Sequence, residues 1–429
     1  MKVRTLPATS LVVASMVGTG VFTSLGYQVG DIPSGPGIVL LWVLGGLVAL
    51  CGAFSYAELA SGLPKSGGEY HFIGSLYHPS LGWAAGLLSA IVGFAAPIAL
   101  ATLALGSYAQ RALPGVSGTG VAVTALVLVT FAHCITLRTS ARMQTLSTAL
   151  KLVLIAGFIV VAFAMPGRGD IRWEIRPAED FEIIMSPAFA VALLFVFYAY
   201  SGWNAAVYLL EELEDARRTV ARALVAGTLL VMALYVLLNV AFLKAAPVAS
   251  LAGVTEVGHV AASSVFGEGA ARVFSGLLSL GLVATVSALV WAGPRVLHVM
   301  GRDHHALRFL ALKNRHGIPL SATLALSAIA LLLVLTGDFG ALLTYTQFAL
   351  TLCAFLTVFG VFLLRRRAGV PGGFRCPWYP LPPLVFLAMT GFVMVRSVVA
   401  EPIPTFAGLA TVLLVWLCYF PLRNLQPSS

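Results

Sequence analysis

About twelve apolar stretches, each long enough to cross a bilayer as a helix, dominate this sequence. A spanning helix needs about 20 apolar residues, and the stretches lie at approximately 5–30, 36–61, 82–111, 118–137, 139–165, 187–212, 219–246, 269–300, 319–336, 340–364, 380–399 and 404–421. Charged residues make up 10% of the chain, whereas soluble domains carry about a quarter. The chain is therefore predicted to be an all-α integral membrane protein, with residues 1–429 in one domain of about 12 transmembrane helices.

The formal net charge of +9 is compatible with nucleic-acid binding. The basic residues, however, do not form one patch with interleaved aromatic side chains, as a nucleic-acid surface would require. If the N-terminus is inside, most of the 26 Lys and Arg residues fall on the inner side, as the positive-inside rule demands. We therefore expect a multi-pass protein of the cell (inner or plasma) membrane with both termini cytoplasmic. Its partner is the lipid bilayer and not nucleic acid.

Two of the stretches contain glycine-rich breaks near their middle. The first carries Met16-Val17-Gly18-Thr19-Gly20, and the sixth carries Tyr198-Ala199-Tyr200-Ser201-Gly202-Trp203-Asn204. Glycine weakens a helix, and backbone groups freed by unwinding are costly in lipid unless something pairs with them. For either stretch alone, close helix packing is the simpler interpretation. Together, in spans one and six, the breaks have the spacing expected of two inverted five-helix repeats with a substrate between them.

An amino acid would suit such a pair of breaks. Free N–H groups at the start of a half-helix attract a carboxylate, and the negative end of the other half attracts an ammonium. The sequence thus predicts a substrate site at two short segments, made of Met16, Val17, Gly18, Thr19, Gly20, Tyr198, Ser201, Gly202 and Asn204. We expect Gly20→Leu to abolish transport with little effect on folding.

Several motifs in order resemble the amino acid–polyamine–organocation transporters, and within them the L-type amino acid transporter branch. The resemblance covers at least residues 5–380. It is carried by Gly18-Thr19-Gly20-Val21-Phe22, by Ser55-Tyr56-Ala57-Glu58-Leu59 with Leu63-Pro64-Lys65-Ser66-Gly67-Gly68-Glu69-Tyr70, by the Tyr198–Asn204 segment, by Tyr235-Val236-Leu237-Leu238-Asn239, and by Pro294-Arg295-Val296-Leu297.

The resemblance implies a five-plus-five inverted-repeat fold, with residues 1–165 and 187–364 as the repeats and 380–421 as two additional helices. It implies that Gly18, Thr19 and Gly20 receive the substrate carboxylate, whereas Tyr198, Ser201 and Asn204 lie on the ammonium side and at the outer gate. Tyr198 departs from the family pattern, in which a phenylalanine is usual, and its buried hydroxyl needs a partner. The loop near Leu113-Pro114-Gly115 lacks the cysteine that vertebrate relatives use to attach a heavy subunit, so no disulfide-linked heavy subunit is expected.

Lys151 lies well inside the fifth span, where a charge is costly and usually functional. Snorkelling to the interface is the alternative interpretation, although the depth strains it. The resemblance implies that a lysine here replaces a sodium ion and holds helix one against helix eight, with Thr285 and Ser287 as neighbours. If Lys151 cycles its proton, the protein is a proton-coupled symporter. If Lys151 stays charged, the protein is an exchanger or a facilitator, and in both cases sodium dependence is disfavoured.

Other function classes are disfavoured. The sequence has no metal-protease, hydrolase or phosphate-loop motif, so an enzyme is not expected, and neither is a cofactor or a metal. A channel would require a pore loop or a charged ring repeated by symmetry. The sequence therefore predicts a secondary transporter of amino acids, with neutral L-amino acids favoured. A carrier of organic amines or polyamines is the alternative.

Overall fold

The computed structural model describes residues 3–135, 138–315, 317–336, 339–368 and 373–423. Its helices are α1 (Thr5–Met16), α2 (Gly20–Thr23), α3 (Gly35–Gly62), α4 (Glu69–Leu76), α5 (Pro79–Ala90), α6 (Ala96–Ala112), α7 (Gly118–Ile135), α8 (Arg138–Ala164), α9 (Pro177–Met185), α10 (Pro187–Tyr200), α11 (Ala216–Ala245), α12 (Val248–Leu251), α13 (Val257–Phe266), α14 (Glu268–Asp303), α15 (Leu320–Thr336), α16 (Phe339–Ala368), α17 (Leu381–Ala400), α18 (Pro402–Leu417) and α19 (Tyr419–Arg423).

The predicted all-α membrane fold is confirmed. Within the described ranges, nine helical segments are long and apolar enough to cross a membrane, and the number is ten if the α9–α10 pair, bent by 69°, is counted as one span. The predicted fifth and ninth spans correspond to the shorter apolar helices Thr148–Ala164 and Leu320–Leu335. Residues 136 and 137, at the end of the predicted fourth span, lie outside the described residues.

Local sequence explains where the helices next to the breaks begin. Ser34 precedes α3, and its Oγ accepts a hydrogen bond from the backbone N–H of Gly37 at 3.1 Å. Ser186 caps α10 in the same way through the N–H of Phe189 at 3.2 Å, and Pro187 follows in the first turn. Both are N-caps that satisfy a backbone donor which the helix itself leaves unpaired. The third span, by contrast, runs from α5 into α6 through one π-helical turn, Ile91–Ala95.

The two broken helices lie at the centre of the helix bundle. Helix α1 packs on α11, which in turn packs along α3, whereas α10 packs between α3 and α17. Every residue of α2 is buried, and in α10 the run from Ala192 to Tyr200 is buried throughout. The surrounding helices therefore shield the breaks from lipid on all sides.

A buried ion pair joins the end of α3 to the end of α16. Glu58 is 0% exposed, and its carboxylate accepts hydrogen bonds from Nε and Nη2 of Arg365 at 2.6 and 2.8 Å. The backbone N–H of Cys376 donates a third bond at 2.7 Å. The Arg365 guanidinium also lies 3.5 Å from the ring centroid of Tyr379. This arrangement ties a loop after α16 to the α3 end, so Glu58 has a structural role.

Glu58→Gln is expected to destabilise the protein. The change leaves the Arg365 guanidinium partly buried without its counter-charge, and breaking a buried ion pair costs about 3 kcal/mol. The midpoint of thermal unfolding in detergent should fall clearly for Glu58→Gln. It should stay unchanged for the control Arg366→Gln, because Arg366 is exposed one position further along α16. Equal midpoints for the two variants would contradict this role of Glu58.

Candidate functional site

Both predicted breaks interrupt helical structure. In the first span α1 ends at Met16 and α2 begins at Gly20. In the sixth span α10 ends at Tyr200, and a 3-10 segment begins at Ala205. At the breaks the Gly18 N–H bonds to the Met16 carbonyl at 2.7 Å and the Ser201 N–H to the Tyr198 carbonyl at 2.9 Å, and neither bond follows the α-helical pattern. The two breaks face each other across the bundle centre.

Two glycines allow the broken helices to touch. A Cβ atom on Gly20 would lie 2.5 Å from the Cα of Ala199, which no real contact permits. Gly202 has a φ of +94°, which favours glycine, and a Cβ there would lie 2.7 Å from the carbonyl oxygen of Ser15. Gly18 differs, because a Cβ there would make an ordinary 3.7 Å contact with Thr285 Cγ2. Close packing thus requires Gly20 and Gly202, but not Gly18.

Tyrosine hydroxyls pair with groups that the breaks free. The Tyr235 hydroxyl on α11 lies 2.6 Å from the carbonyl oxygen of Met16 and 3.2 Å from that of Ala199, so it can donate to either break. The Tyr198 hydroxyl lies 3.2 Å from Thr19 Oγ1, which supplies the partner that a buried tyrosine needs. The two carbonyls and the Thr19 hydroxyl lie at or next to the breaks, where an unpaired polar group would be costly.

Lys151 also binds the first break. Its side chain is 0% exposed, and Nζ donates to the carbonyl oxygen of Val17 at 2.6 Å and to Thr285 Oγ1 at 2.8 Å. The lysine stem passes Gly281 on α14, where a Cβ would lie 2.8 Å from Lys151 Cγ. The ammonium therefore joins the unwound part of span one to α14 and does not reach a solvent-exposed interface. Ser287, the other predicted neighbour of Lys151, pairs with a different residue: its Oγ lies 2.7 Å from His133 Nε2.

A cavity of about 200 Å³ opens between the breaks. All of the residues that the sequence predicts for substrate binding line this cavity except Val17, whose side chain is buried away from it. The other walls come from the π-helical turn at Gly93 and Phe94, from one face of α14, and from parts of α3, α6, α16 and α17. Only two charged side chains of the described residues line it, Glu69 and Arg295.

The cavity extends from the breaks toward one side of the molecule, which we call the Arg295 face. On the opposite side, backbone and side-chain contacts close the cavity. Gln28 Nε2 donates to the carbonyl oxygen of Ala192 at 3.2 Å, and the Tyr108 hydroxyl donates to that of Phe22 at 3.0 Å. The rings of Tyr27 and Phe195 lie 5.2 Å apart. The cavity is therefore bounded by these contacts on one side and lined by Arg295 on the other.

Sequence reasoning missed the role of Glu69 in this site. Its carboxylate, 5% exposed, accepts hydrogen bonds from the Tyr56 hydroxyl at 2.9 Å, from Asn204 Nδ2 at 2.7 Å and from the Tyr208 hydroxyl. Asn204 thus points to Glu69, which also lines the cavity. The available signal was a carboxylate directly after Gly67 and Gly68, both of which have positive φ, at the start of α4.

The expectation that Gly20→Leu spares folding is wrong, since even one added carbon collides with the backbone of α10. We expect Gly20→Ala to lower the thermal midpoint, because forcing extra atoms into a packed core costs about 1–3 kcal/mol. Gly18→Ala should fold normally, since its methyl group meets only ordinary contacts. Size-exclusion profiles and melting curves of both variants in detergent test the difference. A normal midpoint for Gly20→Ala would contradict the close approach of the two helices.

Removing the Lys151 ammonium should impair transport more than folding. Lys151→Met keeps most of the side-chain volume but leaves the Val17 carbonyl without its donor, at a cost of about 1–3 kcal/mol. We expect at least a tenfold loss of transport, and a smaller loss for Thr285→Val. Thr102→Val is the matched control, because Thr102 Oγ1 bonds only within its own helix, to Ile98, in the described contacts. Wild-type rates for Lys151→Met would remove the lysine from the mechanism.

The sequences of known proteins match this chain over nearly its whole length. A model of the family described as amino acid permease matches residues 4–421. The chain is 26% identical to the mouse Asc-type amino acid transporter 1, over 95% of this chain and 78% of the relative. It is 27% identical to the human large neutral amino acids transporter small subunit 2, over 96% and 78%, and 24% identical to the mouse b(0,+)-type amino acid transporter 1, over 94% and 83%. The broken helices, the buried cavity and the family model agree, and the chain belongs to the amino acid permease family of multi-pass membrane transporters.

Proposed function

We propose that this protein carries neutral L-amino acids across the cell membrane by sodium-independent alternating access. The observation that carries the proposal is the cavity between two broken helices in a member of the amino acid permease family. The names of the relatives describe transporters of amino acids, and two of them cover almost the same length of chain. Substrate would bind with its carboxylate at Gly18, Thr19 and Gly20, and with its ammonium near Tyr198 and Ser201.

The charges around the cavity favour a neutral substrate. At the level of the breaks the lining residues are small, aromatic or hydroxyl-bearing, such as Ser15, Thr19 and Phe94. A fixed cationic or anionic side chain of the substrate would be buried there without a partner, which is strongly unfavourable. Glu69 is already bonded to three neutral donors, and Arg295 lies further along the cavity.

Lys151 supports sodium independence. Its ammonium fills the space between the Val17 carbonyl and the Thr285 hydroxyl, two oxygen ligands of the kind that a hard cation would use. A second cation beside it would meet like-charge repulsion. If the lysine remains charged the carrier is an exchanger, and if it cycles its proton the carrier is a proton symporter.

Alternating access would follow from the two repeats. We infer that residues 1–165 and 187–364 form inverted repeats, with 380–421 as additional helices, and that the Arg295 face is cytoplasmic, with both termini on that side. Gly202, held at positive φ between α10 and the 3-10 segment, is a hinge candidate, and so is the open Gly18. In the outward state the Tyr27–Phe195 side would open and the Arg295 side would close. The absence of a cysteine near Leu113 supports function without a disulfide-linked heavy subunit.

The test is uptake of labelled amino acids by liposomes that contain the purified protein. Labelled alanine, leucine, serine and phenylalanine would be compared with lysine, glutamate and putrescine, with and without sodium. We expect uptake of neutral amino acids that is unchanged by sodium. The same vesicles, preloaded with unlabelled amino acid or placed under an inward proton gradient, separate exchange from symport. Uptake of putrescine alone would replace the proposal by the organic-amine carrier.

A further inference from the structure

One face of α14 forms a continuous wall of the cavity. Thr285, Leu289, Ala292 and Arg295 are spaced four, three and three residues apart, and all of them line it. Residues at such spacing lie on one side of a helix. The ten residues from Thr285 to Arg295 correspond to about 15 Å along the helix axis at 1.5 Å per residue. Arg295 therefore lines the cavity two to three helical turns away from Thr285, which lies beside the first break.

The Arg295 guanidinium is held in place but poorly paired. It stacks on Trp291, with 4.0 Å between Cζ and the ring centroid, and Trp291 also lines the cavity. Its nearest counter-charge is Glu212, at 3.9 Å between Nη2 and Oε1, which is longer than a hydrogen bond. Among the described residues, Nη1 is buried and has no hydrogen-bond partner. A buried donor without a partner costs about 1–3 kcal/mol, so an added acceptor would be favoured.

We propose that Arg295 forms a second substrate site, which binds the carboxylate of the amino acid as it moves between the breaks and the Arg295 face. The proposal rests on the proposed transport function. A guanidinium presents a planar fork that pairs with a carboxylate through two parallel hydrogen bonds, and stacking on an aromatic ring orients this fork.

The position of Arg295 makes this site distinct from the one at the breaks. An α-amino acid whose carboxylate lies at Gly18–Gly20 cannot also reach a side chain two to three helical turns further along α14. Arg295 is the only cation among the described residues that line the cavity, so it concentrates anionic groups in this part of the path. Glu212, which is half exposed, competes with the substrate for the guanidinium.

A pure gate would use the same two residues differently. If Arg295 and Glu212 only closed the cavity in the other state, removing either partner would break the same contact and alter transport in the same direction. If Arg295 binds substrate against competition from Glu212, the two substitutions act in opposite directions. The sign of the Glu212 effect therefore separates the two interpretations.

The experiment measures KM from each side of the membrane in right-side-out and inside-out vesicles. The probe is the neutral amino acid that wild-type liposomes take up fastest in the panel above. We expect Arg295→Gln to raise KM at least fivefold from the Arg295 side and to leave KM from the opposite side within twofold. The unchanged side then serves as an internal check on folding. Arg295→Lys, which keeps the charge but loses the fork, should fall between wild type and Arg295→Gln.

Glu212→Gln should lower KM from the Arg295 side about twofold or more, because the guanidinium loses its competitor. Arg302→Gln is the matched control, since Arg302 is exposed two turns further along the same helix, and neither KM should change. An unaltered KM in Arg295→Gln, or a raised KM in Glu212→Gln, would overturn the proposal. If the wild type moved no amino acid, the proposed function would fail instead, before any variant was compared.

Discussion

The buried ammonium of Lys151 is the interaction on which the centre of this molecule depends. Unwinding the first span frees backbone carbonyls in an apolar environment, where each unpaired group is costly. Lys151 satisfies the Val17 carbonyl and fastens it to Thr285 on α14 with the same group. Without this contact the break would need a bound ion or water to persist. The lysine thus supplies the first break with a hydrogen-bond donor from within the protein.

Other side chains extend the same principle to the second break. The Tyr235 hydroxyl lies within hydrogen-bond distance of carbonyls in both broken helices, so α11 contacts both of them through one side chain. Glu69 holds Asn204 and Tyr208, which follow the second break, against Tyr56 of α3. The unwound segments are consequently held by fixed polar partners from the surrounding helices. Movement of either break would have to exchange these partners for others.

The sequence predicts the elements of the site better than their contacts. Helix count, the two breaks and the buried lysine follow from hydropathy, glycine position and the cost of charge in lipid, all of which are local properties. The partner of Lys151 was half predicted: Thr285 contacts it, whereas Ser287, two residues on, points instead to His133. A shift of two positions on a helix turns a side chain by about 200°, at 3.6 residues per turn, so small errors in helix rotation change partners. Glu69 and Arg295 were quoted in motifs without a role, because their function depends on neighbours far away in sequence.

The glycines show why pattern alone cannot separate packing from function. Gly18 and Gly20 belong to the same motif, yet only Gly20 lies where a methyl group would strike the α10 backbone. The requirement for glycine at position 20 is steric, because it allows the two broken helices to pack in contact. Gly18 has room for a side chain on the cavity wall, so the cavity and not the packing gives a reason for glycine there. Two glycines only two positions apart thus differ in kind: Gly20 sets the distance between the broken helices, and Gly18 lies on the cavity wall with ordinary contacts.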